Sequence, residues 1–82
     1  MSRDIKTIKK ELLDKFRSID GEEDDAIPEE WLRNEYLPFL DTFELKDFEK
    51  AIRQLSAKGV LRYRRGKVPK LLLTEKGANL IH

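Results

Sequence analysis

Five cations, Arg62, Arg64, Arg65, Lys67 and Lys70, fall within nine residues, and no carboxylate interrupts the chain from residue 50 to residue 74. Side chains of this type at this density suit a polyanion. Each Lys or Arg that neutralises a phosphate releases counterions and adds affinity that depends on salt and not on sequence. Arg65 or Lys67 at a turn could enter a minor groove, where arginine responds to groove width. Cations on an exposed strand also deter edge-to-edge aggregation, but five exceed that need. Upstream, Lys46, Lys50, Arg53 and Gln54 occupy polar positions of a helical run. Arg53 suits guanine and Gln54 adenine, in the bidentate pairings that base-edge geometry favours. Glu44, Asp47 and Glu49 share those polar positions and oppose phosphate contact, and Glu49 is spaced to pair with Arg53 four residues on.

Other chemistries lack their parts. The carboxylates have no His, Ser or Lys at a catalytic spacing and there is no Gly-rich phosphate loop, so no enzyme is expected. Cysteine is absent and the single histidine is His82, which removes zinc sites and disulfides. Glu22, Glu23, Asp24 and Asp25 are adjacent rather than alternating, unlike the ligands of an EF-hand loop. No metal or other cofactor is expected. No apolar run is long enough to span a bilayer and the opening residues do not read as a signal peptide, so a cytoplasmic protein with no membrane partner is expected.

The 82 residues accommodate one domain, residues 1–82, with a modest core. The formal net charge of +1 hides a polarised layout: residues 1–20 carry +2, residues 21–44 carry −8 and residues 45–82 carry +7. Such a chain can turn a basic surface to a polyanion while its acidic segment faces elsewhere.

The elements that must position these charges are legible from periodicity. Ile5, Ile8, Leu12, Phe16 and Ile19 recur at steps of three and four and predict a first helix, capped by Ser2 or Asp4 and stopped by Gly21. Ala26 and Ile27 could form a minimal strand. Pro28 opens a short second helix holding Trp31, Leu32 and Tyr36, and Pro38 stops it. Asp41 with Glu44 reads as a capping box for a third helix over residues 44–58, with Leu45, Phe48, Ala51, Ile52 and Leu55 buried and Gly59 as its stop. Trp31, Tyr36, Phe39, Phe43 and Phe48 are expected to pack between helices. After Gly59 the period becomes two: Leu61 and Tyr63 point inward, Arg62 and Arg64 outward, and Leu71-Leu72-Leu73 supplies the second strand. Thr74 caps a closing helical segment.

This order predicts an α+β winged helix-turn-helix: a three-helix core, a two- or three-stranded antiparallel wing and a short C-terminal helical segment. The run Leu55-Ser56-Ala57-Lys58-Gly59-Val60-Leu61, a basic hairpin, and Leu73-Thr74-Glu75-Lys76-Gly77 resemble the corresponding part of winged-helix domains in MarR-, PadR- and ArsR-type bacterial and archaeal regulators. The resemblance covers residues 44–81 closely and residues 1–43 through helix order. It lacks the long dimerisation helix that MarR- and PadR-like proteins place after the wing, so a homodimer through the first helix, a monomer, or a module of something larger is expected. The resemblance implies double-stranded DNA as partner, with helix 44–58 in the major groove and the wing on the backbone or minor groove, as in a small transcriptional regulator or a mobile-element accessory protein. The alternative is a protein-docking module of the same fold that works through its acidic segment, residues 22–35.

Overall fold

Asp4 starts the first helix by geometry that its short carboxylate allows. Its side chain accepts the Thr7 N–H at 2.7 Å, and that hydrogen bond holds its carboxyl below the ordinary range. The computed structural model describes residues 4–82, so the alternative cap Ser2 lies outside the described residues. Helix α1 runs Ile5–Ser18 and buries Ile8, Leu12 and Phe16, the predicted stripe. Its stop differs from expectation. Asp20, not Gly21, takes the left-handed conformation (φ 54°), and the Asp20 and Gly21 N–H groups donate back to Arg17 O (3.1 Å) and Phe16 O (2.8 Å). This is a Schellman closure with an acidic residue at its turning point. Gly21 eases the packing there, because a Cβ would lie 3.1 Å from the Phe16 carbonyl oxygen, closer than ordinary van der Waals contact.

The second helical segment changes pitch twice. Helix α2 spans Glu29–Trp31, a widened turn follows over Leu32–Tyr36, and a tight turn over Leu37–Phe39 closes it. Both prolines stand elsewhere than their residue type predicts. Pro28 is the residue before the first helical position, and Pro38 sits inside the last turn rather than stopping the helix ahead of it. The widened turn explains the second. Leu37 N–H donates to Leu32 O and Leu40 N–H to Leu37 O, so the pattern passes over Pro38, which has no N–H to place.

Helix α3, Thr42–Ala57, begins in the predicted capping box: Glu44 N–H donates to Asp41 Oδ1 at 2.8 Å and Asp41 N–H to Glu44 Oε1 at 3.1 Å. Phe48, Ala51, Ile52 and Leu55 are buried as expected, but Glu44 joins them and Leu45 is 40% exposed. Gly59 ends the helix at φ 76°, with Gly59 N–H on Ser56 O and Val60 N–H on Leu55 O, both at 2.9 Å.

Strands β1 (Leu61–Arg64) and β2 (Lys70–Leu73) pair antiparallel, Leu61 opposite Leu73 and Arg64 opposite Lys70. Residues 24–27 line the other edge of β2, as the Ala26-Ile27 reading anticipates. Ala26 bridges Leu72, Ile27 N–H donates to Leu71 O at 3.0 Å, and Asp24 N–H donates to Leu73 O at 2.8 Å. Helix α4, Glu75–Ile81, is capped by Thr74, whose Oγ1 accepts the Gly77 N–H at 3.1 Å. Among the described residues the architecture is therefore α+β, four helices and a two-stranded antiparallel sheet, and no helix is long and apolar enough to cross a membrane.

The core joins α1, the second segment, α3 and the inner face of the hairpin through Phe16, Leu32, Phe48, Leu61, Leu71 and Leu73. Tyr36 is buried, stacks on Trp31 with centroids 4.9 Å apart, and donates its hydroxyl proton to Glu11 at 3.0 Å. Lys15 lies 4.9 Å above the Trp31 ring. The packing role expected of all five aromatics fails for two: Phe39 and Phe43 are 70% and 75% exposed.

Gly77 carries a constraint that helix propensity would hide. A Cβ there would overlap the Val60 carbonyl oxygen and come within 2.6 Å of Leu73 Cδ1. On an exposed helix Gly→Ala stabilises by roughly 1 kcal/mol. Here Gly77→Ala is expected to destabilise by about 2 kcal/mol or more, since backbone must move to admit the methyl group. A lower urea midpoint checks this, and an unchanged or raised midpoint contradicts it.

Candidate nucleic-acid interface

The outward positions of α3 follow from its buried ones. With Phe48, Ala51, Ile52 and Leu55 turned to the core, residues 43, 46, 50, 54 and 57 recur on the opposite face at steps of three and four. Lys46, Lys50 and Gln54 are exposed on that face, and exposed Arg53 flanks it on the side toward the hairpin. The acids prove less obstructive than the sequence suggests. Glu44 is 6% exposed and its carboxylate is committed to the capping box, while Asp47 and Glu49 border the cationic strip on its two sides. The expected Glu49–Arg53 pair is not formed: among the described residues no salt bridge joins them.

The hairpin separates its charges by the alternation of a strand. Leu61 and Tyr63 face inward, whereas Arg62, Arg64 and Lys70 are exposed on the outer face, with Arg65 and Lys67 exposed in the turn. All nine predicted side chains are thus solvent-accessible, on two adjoining elements. Between those elements runs a groove of about 480 Å³, lined by Phe48, Ile52 and Tyr63 and by the charged Glu49, Arg53, Arg65 and Lys67. Cations from α3 and from the hairpin turn therefore share one rim.

The charge environment varies along the hairpin. At its base a shallow depression brings Arg62 together with Glu23, Asp24 and Glu75, so the acidic loop tempers that arginine. Toward the tip the balance reverses. Arg64 lies directly across from Lys70, with Arg65 and Lys67 in the intervening turn and no acid in the run. Like charges opposite one another weaken a strand pair. A polyanion bound along this edge would relieve the repulsion.

The acidic loop itself is folded on its own backbone: Glu22 N–H donates to Asp25 Oδ2 at 2.8 Å. Among the described residues no group of three acidic or histidine side chains is placed to hold a metal ion. Glu29, Glu30 and Glu35 are exposed on the second segment. The residue that sequence reasoning missed is Phe43. The signal for it is its distance of three from Lys46, which puts it on the outer face once the capping box draws Glu44 inward.

No family model, no curated protein and no solved structure matches this chain.

The nine candidate side chains take no part in the hydrogen bonds or ion pairs of the described fold. Single Ala substitutions at Lys46, Lys50, Arg53, Arg64 or Lys67 are therefore expected to shift stability by less than about 0.5 kcal/mol. Lys70→Ala or Arg64→Glu, which remove the cross-strand repulsion, are expected to raise the urea midpoint slightly. Coincident unfolding curves for the first set and a raised midpoint for the second check these expectations, and a lowered midpoint for the second contradicts the repulsion between Arg64 and Lys70.

Proposed function

We propose that the chain is a non-enzymatic winged-helix protein that binds double-stranded DNA, with α3 as the recognition helix and the β1–β2 hairpin as the wing. One observation carries the reading: Arg64, Arg65, Lys67 and Lys70 crowd the hairpin tip with mutual repulsion and no internal partner, beside the exposed cations of α3. Local stability alone would not select that arrangement. In helix-turn-helix proteins the second helix of the motif enters the major groove, and its outward side chains meet base edges and phosphates. Lys46, Lys50, Arg53 and Gln54 hold those positions here, and the wing would lie on the flanking backbone with Arg65 or Lys67 toward the minor groove. The work of such a protein would be that of a small regulator or an accessory protein of a mobile element.

A second reading, a protein-docking module of the same fold, is favoured by one observation. The exposed Glu29, Glu30 and Glu35, against the one exposed cation Arg33, leave a net negative charge on the element that would neighbour the DNA backbone. A basic protein partner fits that surface better than a phosphate does.

Titration against a mixed-sequence duplex of about 25 base pairs at two salt concentrations separates the readings. Five phosphate contacts give a slope of about −4.5 in log affinity against log salt. Arg62, Arg64 and Arg65 changed together to Ala are expected to abolish binding at moderate salt and, where low salt still allows measurement, to flatten the slope by between about 2 and 3. Absence of binding at low salt, or a triple variant with the parent's slope, would overturn the DNA reading. Under the docking reading, changes at Glu29, Glu30 and Glu35 would instead abolish capture of a basic partner.

A further inference from the structure

Phe43 is the most exposed large apolar side chain among the described residues, at 75%. Its position in the cap does not account for it. Asp41 is the capping residue and Glu44 completes the box, so the hydrophobic-staple positions on either side are Leu40 and Leu45. Leu40 is 7% exposed and Leu45 lines the groove beside the hairpin, whereas Phe43, at the second helical position, belongs to neither. It lies instead three residues before Lys46 and seven before Lys50, at the N-terminal end of the outward face. That end of a recognition helix is the part which penetrates the major groove and touches base edges. Cations there can find phosphate or guanine, but an aromatic ring has one apolar target on a base edge, the 5-methyl group of thymine.

We infer that Phe43 is a specificity-determining residue that reads a thymine methyl group in the major groove, an inference that rests on the DNA reading above. The division of labour along α3 then follows from residue type. Phe43 selects a thymine near one end of the contacted steps, Gln54 and Arg53 hydrogen-bond to purines further along, and Lys46 and Lys50 hold the flanking phosphates. Phe39 is almost equally exposed, at 70%, but belongs to the tight turn ahead of α3 and has no place on that face. It serves as the internal control for apolar exposure as such.

The test replaces thymine by uracil, which deletes the methyl group and keeps every Watson–Crick hydrogen bond. A duplex is first enriched from a randomised library with the full chain, and each thymine is then changed singly to uracil. Affinities for the parent, Phe43→Ala and Phe39→Ala proteins are compared by fluorescence anisotropy, with matched thermal melts confirming that both variants are folded. The parent is expected to lose about fourfold at one thymine, the worth of one methyl group withdrawn from water. Phe43→Ala is expected to bind the thymine duplex more weakly and to lose all discrimination at that position. Phe39→Ala should keep the parent's ratio. DNA binding with no uracil effect at any position, or discrimination that survives Phe43→Ala, overturns the inference and leaves DNA binding standing. Failure to enrich or bind any duplex overturns both readings together.

Discussion

The placement of the hairpin depends on how the backbone of Val60 is used from both sides. Its N–H closes α3 by donating to Leu55 O at 2.9 Å, its carbonyl accepts the Thr74 N–H at 3.2 Å, and the Thr74 hydroxyl is shared between the Gly59 and Val60 carbonyls. One residue, through its two flanking peptide groups, thus ties the end of the third helix to the end of the second strand. Thr74 in turn caps α4, so three elements meet within a single turn of chain. Only glycine at position 77 lets α4 approach that closely, and only a left-handed residue at position 59 turns the chain sharply enough for Val60 to reach both partners. The direction in which Arg64 and Arg65 project from α3 is therefore set by short-range backbone geometry, with side-chain packing of Leu61, Leu71 and Leu73 behind it. A cationic hairpin on a loose base would gain little from its charge, because ordering it at each encounter would cost conformational entropy.

Charge segregation along the chain is converted into a gradient in space. Residues 24–27 add to the far edge of β2, which carries the acidic loop to the base of the hairpin near Arg62 and leaves the tip free of carboxylates. The same pairing covers an edge that would otherwise offer unpaired backbone groups. One strand-like segment therefore protects the sheet and shapes its potential. A flexible anion approaching this surface meets a positive field without carboxylates at the tip and a predominantly positive one along α3, where Arg65, Lys67 and Arg53 share the rim of one groove with the single acid Glu49.

What the sequence discloses and what it conceals divide along the range of the interactions involved. The capping box of Asp41 and Glu44, the left-handed Gly59 and the alternation in residues 61–64 are written in short-range rules, and the structure follows them; where a minimal strand is expected at Ala26-Ile27 it forms a single bridge at Ala26. The outward charges of α3 and the hairpin were legible for the same reason. Concealed features involve competition between neighbours. Glu44 is charged and is expected to face solvent, but it stands at the helical spacing of Phe48, Ala51 and Leu55 and is buried with them, while Phe43 and Leu45 are left exposed. Residue type alone marks Phe39 and Phe43 as core, since nothing local says how many aromatics the interface between helices can hold; Trp31, Tyr36 and Phe48 fill it. Pro38 reads as a stop because an α-helix cannot pass it, whereas a widened turn followed by a tight one can. Gly77 reads as a poor helix residue until the carbonyl of Val60, seventeen residues away in sequence, is placed beside it.

The N-terminus of α3 also decides how a polyanion could be held. The start of a helix is ordinarily a ready anion site, because its unpaired N–H groups and the positive end of its dipole converge there. In this chain the Asp41 carboxylate accepts the Glu44 N–H and the Glu44 carboxylate accepts the Asp41 N–H, so two negative charges already occupy that end. A phosphate gains nothing by approaching it. Phosphate contacts must then come from side chains further along the helix and from the hairpin, which is where the cations are. That end of the helix instead carries an exposed phenylalanine rather than a lysine, a side chain that suits a neutral surface. The distribution of cap, cation and aromatic along α3 is thus one consequence of a single choice, a carboxylate pair as its cap, which moves electrostatic holding to one place and leaves room for apolar contact at another.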